Sequence, residues 1–327
     1  MTFDLNAYPL SERNGTYGGK AGSKEGIIID DENWIVKYPQ NTQGMRGTLA
    51  SYTTAPLSEY IGSNIYDILG IDVHKTELGT RNGKLVVACK DFCKTEGSLR
   101  EIRTLKNIYN KELNERLEAS LSSTSDSHLI NLEDIMIHLE YNPVLQRIPH
   151  IKERFWEQVI VDALINNNDR NNGNWGVLYE QGTYKLAPVF DNGASFYNKL
   201  PDSKLSEYLA DSVKFKQSAD MSRTVFALNG KPLMAKDLTF IKDEGFYEVA
   251  AKLVPLIRSK LDEIAEFINS IPENYNDIPI CSGTRKQFYI QSVDYRFDNF
   301  LLPVCDKAVE KGFALSEDQP HCGMDDK

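Results

Sequence analysis

Apolar and polar positions change their rhythm about a third of the way along the chain. Up to residue 95 the apolar residues come in short β-rich runs separated by turn formers. Gly26-Ile27-Ile28-Ile29-Asp30 and Asn33-Trp34-Ile35-Val36-Lys37-Tyr38 read as two strands of a hairpin joined by a tight Asp-Glu turn. Ile61, Ile65, Ile68 and Leu69 recur at helical spacing within Ser58 to Leu69, and Gly70 supplies the stop. Val73 to Leu78 and Lys84 to Cys89 predict a second strand pair, turned at Arg81-Asn82-Gly83.

Beyond Lys94 the period becomes that of helices. Leu99 to Glu118 is charged and amphipathic, Ser120 to Ser127 is a polar loop, and Asn131 to Leu139 is a further helix. Ile151 to Ile165 carries a broad apolar stripe suited to a central core helix. Tyr184 to Phe190 reads as a short apolar strand. Phe246 to Ile271 and Thr284 to Val309 predict two long C-terminal helices, the first kinked or broken at Pro255, and the last dozen residues look frayed and acidic. The pattern places a β-rich unit at residues 1–94, with a hinge near Cys89 to Lys94, ahead of a helical unit at residues 95–327. The fold class is α+β.

Composition narrows this picture. A chain of 327 residues with 41% hydrophobic content supports a real core, and a net charge of −10 argues against broad binding to nucleic acid or anionic lipid. No stretch has the run of apolar residues a membrane span requires, and the N-terminus lacks a secretory pattern, so the expected location is cytoplasmic. Five scattered cysteines without a C-x-x-C pair read as reduced thiols, and five scattered histidines suggest no metal site or triad.

The densest candidate chemistry follows the core helix, in Asn166-Asn167-Asn168-Asp169-Arg170-Asn171-Asn172-Gly173-Asn174, and continues at Asp191-Asn192-Gly193. Phosphoryl transfer needs a carboxylate near the acceptor hydroxyl and oxygen ligands that hold magnesium on the nucleotide phosphates. Asp169 suits the first role, and Asn174 and Asp191 the second, in the Asp-x-x-x-x-Asn then Asp-x-Gly order that kinases use. An Asn/Gly-rich turn is the rival reading. A calcium loop fails, because Gly173 falls where an oxygen ligand is needed and no Glu sits at the twelfth position.

Upstream, Lys37 ends an apolar strand and Glu59 opens the first helix, so the two can pair and hold the lysine on the α and β phosphates of ATP. An edge-strand lysine and a first-turn glutamate favoured by the helix dipole are the plainer alternatives. Gly18, Gly19, Gly22 and Ser23 form a phosphate-loop candidate that fits no standard glycine pattern, with a linker as its rival. Cys89, Lys90, Asp91 and Phe92 end a strand where backbone groups can meet adenine; a plain core strand fits equally well.

The motifs Ile35-Val36-Lys37-Tyr38-Pro39, Ser58-Glu59-Tyr60, Leu164 to Gly176 and Ala187 to Gly193 together resemble the HipA-like serine/threonine kinases, over roughly residues 15 to 200. The resemblance implies a two-lobed, protein-kinase-like fold that uses ATP and Mg2+ to phosphorylate protein substrates on Ser or Thr. It implies Asp169 as catalytic base, Asn174 and Asp191 as metal ligands, Lys37 as phosphate-binding lysine and Glu59 as its partner. It also implies autophosphorylation, with Ser23 and Thr16 as candidates, and a small antitoxin-like protein as a possible partner, with neither direct nucleic-acid binding nor a membrane role. Relatives usually carry His where this chain has Asn171. A small-molecule or phosphoinositide kinase of the same fold, and a nucleotide-binding module without turnover, remain the alternatives.

Overall fold

The computed structural model describes residues 4–15, 24–95, 97–105, 111–119 and 129–313. They form two compact units, each assembled from separated stretches of chain. The first comprises Met1–Glu96, Pro188–Lys216 and Glu263–Gln291, and the second Gly97–Ala187, Gln217–Asp262 and Ser292–Lys327.

An antiparallel sheet forms the start of the first unit. Its strands β1 (Lys24–Ile29), β2 (Glu32–Lys37), β3 (Thr76–Arg81) and β4 (Lys84–Lys90) lie in the order β1-β2-β4-β3. Both hairpins close through left-handed residues, Asp30 and Asp31 in one and Asn82 and Gly83 in the other, the backbone that two-residue turns demand. The first turn is therefore Asp30-Asp31, and Glu32 already belongs to β2, because its pairing with Ile29 extends the ladder by one residue. One face buries Ile27, Ile29, Trp34, Val36, Val86 and Ala88 with Leu5.

Helix α1 (Ala55–Ile68) packs on β3 and β4. It starts three residues earlier than its apolar spacing suggests, because Pro56 fits a first turn where no N–H bond is required. Leu57, Ile61 and Ile65 are fully buried, each worth about 1.5–3 kcal/mol relative to exposure. Gly70, at φ 71°, follows its end. Val73 makes a single parallel bridge with Val189, so β3 begins only at Thr76.

The second unit is built around α2 (Ile151–Ile165), whose bounds match the predicted core helix. Phe155 meets Trp175 and Phe226, and Trp156 meets Phe246, at ring-centroid distances of 5.2–5.5 Å. α2 ends on Asn166 in the left-handed region, φ 57°, which turns the chain out of the core.

Four expectations need correction. Leu99–Glu101 is a strand paired with Gly176–Glu180, followed by a short 3-10 turn, and among the described residues of the segment the helix is Lys111–Ala119. A Cβ at Gly176 would sit 2.3 Å from the Arg100 carbonyl oxygen, so the missing side chain lets two backbones pair closely and override helical propensity. The strand expected over Tyr184 to Phe190 is Thr183–Leu186. Helix Glu244–Ser270 runs through Pro255, so of the two outcomes expected there the break does not occur. The helix predicted at Thr284 to Val309 is interrupted by a π turn at Phe297–Leu301, just before Pro303, which lacks the N–H that an α ladder needs. The frayed tail lies outside the described residues. Among the described residues no helix is long and apolar enough to cross a membrane.

Helix Leu132–Tyr141 buries His138 completely, and burial pushes its pKa from 6.5 down to about 4. The unfolded chain therefore binds a proton that the folded chain refuses, and stability falls as the pH drops from 6.5 toward 4. Between pH 7.5 and pH 5 this group removes about 2 kcal/mol from the unfolding free energy. Urea unfolding at the two pH values checks it, with His138→Leu expected to lose about that much less than the wild type.

Candidate functional site

Alternation along β2 buries Trp34 and Val36 on one face and leaves Lys37 half-buried at the strand end. Its Nζ lies 2.9 Å from Glu59 Oε2 and 2.9 Å from Asp191 Oδ1. All three belong to the first unit. Burial alone would depress the lysine's pKa, but Asp191 and Glu59 overcome it and hold the ammonium well above its ordinary value. Burial would likewise raise Glu59, yet Lys37 and His74 keep its carboxyl far below the usual range.

Glu59 is held on every side. Its side chain is 1% exposed, and its Oε1 accepts from the Asn192 backbone N–H at 3.0 Å and lies 2.9 Å from His74 Nε2. Ser63 Oγ accepts from Asn192 Nδ2 at 3.0 Å and sits 3.2 Å from the same imidazole nitrogen. Gly193 completes the packing, since a Cβ there would lie 3.1 Å from Glu59 Oε2. Asp191 itself adopts φ 62°, a left-handed conformation that costs a non-glycine residue about 1–3 kcal/mol and persists only when its surroundings enforce it.

Cys89, two per cent exposed, is paired on both sides by Ile35 and Thr76. Burial pushes its thiol pKa well up. Its Sγ, His74 and Glu59 bring three potential ligand atoms within 4.8 Å of one another. A protonated thiol is a poor ligand and Glu59 is already engaged by Lys37, so these residues form a polar network rather than a metal centre. The N–H of Lys90 bonds to Lys75 and that of Asp91 to Asn33, and the Asp91 carboxylate meets Arg13 at 3.1 Å. Phe92 packs on Phe190 at 5.7 Å between centroids. Gly18, Gly19, Gly22, Ser23 and Thr16 lie outside the described residues.

The second unit carries its own polar loop after α2. Asp162, on the last turn of that helix, takes a two-pronged grip from Arg170: Nε at 2.9 Å and Nη2 at 3.0 Å. Arg170 Nη1 reaches the Asn174 carbonyl at 3.0 Å, and Asn167 Nδ2 donates to Asp162 at 3.1 Å. This clamp folds the loop so that Asn174 Nδ2 donates to the Asp169 carbonyl at 2.6 Å and Asn171 Nδ2 to the Asp169 carboxylate at 3.0 Å. Asp169 and Asn174 are therefore neighbours, and Asn171 holds the carboxylate.

His74 and Asp162 escape a reading of the sequence by motif, and Asn192 and Arg170 stand inside the motifs without a partner assigned to them. Asp162 left a trace, as a lone acid within the apolar stripe of a core helix. His74 left one too, following Val73 at the entrance to a strand, but a single histidine in print has no visible partner.

The HipA-like C-terminal domain family matches residues 20–238. The serine/threonine-protein kinase CtkA of Helicobacter pylori strain J99 is 28% identical over 331 residues, covering 98% of this chain and 92% of the relative. The crystal structure of the Helicobacter pylori proinflammatory kinase CtkA superposes with a TM-score of 0.77 at 25% identity, over 95% of this chain and 99% of that one, which bears out the kinase-like α+β fold. HipA of Shewanella oneidensis MR-1, solved with HipB and operator DNA, gives a TM-score of 0.47 at 11% identity, over 89% and 68%.

Removing Asp162 would strand the buried Arg170 guanidinium. Asp162→Ala is expected to lower the unfolding free energy by about 3–5 kcal/mol, measured by urea denaturation.

Proposed function

The chain belongs to the HipA-like C-terminal domain family, and on that premise we propose that it is an ATP- and magnesium-dependent serine/threonine protein kinase. One observation carries the proposal: Lys37 is pinned between Glu59 and Asp191 in a largely buried cluster. A structural ion pair needs one carboxylate. A lysine given two leaves Asp191, 42% exposed and on a strained backbone, able to pass from Lys37 to a cation such as magnesium, while Lys37 stays on Glu59 and turns to the phosphates that the cation brings.

The residues fit the groups that the reaction requires. Asp191 keeps Oδ2 beyond its contact with Lys37, and Asn174 keeps its side-chain oxygen because Nδ2 is the atom that donates to Asp169. Each is a hard oxygen donor of the kind magnesium takes, and magnesium needs few protein ligands, completing its shell with water and phosphate. When bound, the ion would neutralise phosphate charge during transfer.

In this reading Glu59 fixes Lys37, and Lys37 orients the nucleotide. Asp169 accepts a hydrogen bond from the acceptor hydroxyl and takes its proton. Asn171 holds the Asp169 carboxylate in place, a task a histidine at that position would perform equally through its ring N–H. The protein contributes mostly positioning and electrostatics, as phosphoryl transfer requires. Ser23 or Thr16 would serve as acceptor when the chain phosphorylates itself.

Radiolabelled ATP, magnesium and the purified chain, alone and with a generic Ser/Thr protein substrate, test this. Transfer is expected, with EDTA abolishing it and Asp169→Asn lowering the rate by about 10²–10⁴-fold. An Asp169→Asn chain that transfers phosphate at the wild-type rate removes Asp169 from the mechanism. In thermal melting, ATP with magnesium at one hundred times its Kd should add about 2.7 kcal/mol; no shift with any nucleotide would count against the assignment.

A further inference from the structure

We propose that His74 is a positioning residue for phosphoryl transfer: it fixes the Glu59 carboxylate and thereby the Lys37 ammonium. This rests on the kinase reading above and adds to it a residue outside the Lys, Glu, Asp and Asn set.

The backbone places the imidazole. His74 N donates to the Val189 carbonyl at 2.9 Å, and Val189 N donates to the Asp72 carbonyl at 2.9 Å. Val189 stands two residues before Asp191, so a single parallel bridge sets the imidazole and the metal-ligand candidate from adjoining strands of backbone.

Proton accounting fixes what the ring does. An ionised carboxylate only accepts, so the 2.9 Å contact between His74 Nε2 and Glu59 Oε1 places the proton on Nε2. The hydroxyl of Ser63, four residues after Glu59 on the same face of α1, stands 3.2 Å from that nitrogen and receives Asn192 Nδ2. Glu59 Oε1 thus has two donors, His74 Nε2–H and Asn192 N–H, and Oε2 is left for Lys37. His74, Glu59, Ser63 and Asn192 are all at most 5% exposed, so water cannot replace a lost donor. Without the imidazole, Glu59 keeps one anchor on Oε1 and can turn about its terminal bond, which lets Lys37 drift from the phosphates.

The experiment compares His74→Leu, which fills the volume without a donor, with His74→Gln, whose amide N–H reaches about as far as Nε2. His74→Leu is expected to fold, judged by a cooperative melt, and to lose about tenfold or more in kcat/KM for ATP, mostly through KM. His74→Gln is expected to recover most of that loss. In a Glu59→Gln background the penalty of His74→Leu should shrink to about twofold or less, because a residue acting through Glu59 has nothing left to position. A second readout is magnetic resonance of labelled histidine: His74 should show a slowly exchanging Nε2 proton. The proposal is overturned if folded His74→Leu keeps wild-type kcat/KM, if Gln is as poor as Leu, or if the penalty persists unchanged without Glu59. Should the wild-type chain transfer no phosphate, the kinase reading itself fails and takes the role of His74 with it; should Lys37→Met and Glu59→Gln lower transfer while His74→Leu does not, only the assignment of His74 is wrong.

Discussion

The first unit turns on one lysine shared by two carboxylates. An ammonium taken out of water loses several kcal/mol of hydration, and only well-placed opposite charge repays it. Glu59 and Asp191 supply that charge from separate stretches of chain, each 2.9 Å from Nζ. Their placement constrains everything nearby. A Cβ at Gly193 would press on Glu59, Asp191 is bent into a left-handed conformation, and α1 buries polar Glu59 and Ser63 among its apolar residues. Buried polar groups of this number survive only when they satisfy one another, and the bonds among Glu59, His74, Ser63 and Asn192 do that.

The second unit solves the same problem with one carboxylate in place of two. There Arg170 is the buried cation and Asp162 its carboxylate, and the pair organises a loop instead of offering itself to a ligand. Because Arg170 also binds the Asn174 carbonyl, it supports the spacing that the Asn174 side chain makes by donating to the Asp169 carbonyl. In both units the residues with candidate chemistry are partly exposed, and the charged residues that brace them, Glu59 in one and Asp162 and Arg170 in the other, are buried. That division suits phosphoryl transfer, where geometry and charge do most of the catalysis.

Much of this was legible in print because it is local. The hairpin at Asn82-Gly83, the core helix Ile151–Ile165 and the end of α1 at Gly70 follow from turn chemistry, periodicity and glycine, each of which acts within a few residues. The polar loop at Asp169 and the Lys37–Glu59 pair were recognisable as well, since order and spacing are properties of the sequence. The helix expected at Leu99 was not to be had that way: its propensity is helical, and only the close approach of Gly176 makes it a strand.

By itself, then, the sequence determined which residues could do chemistry and which segments would be strands or helices, wherever the deciding forces lie within one or two turns of chain. Only the tertiary structure decided partnership. Lys37 lies 22 residues from Glu59 and 154 from Asp191, and His74 lies 15 from Glu59. Whether such groups meet depends on sheet order, on the seat of α1 against β3 and β4, and on the bridge between Val73 and Val189. Those are set by burial of the whole core, a sum over many distant contacts that no local pattern records.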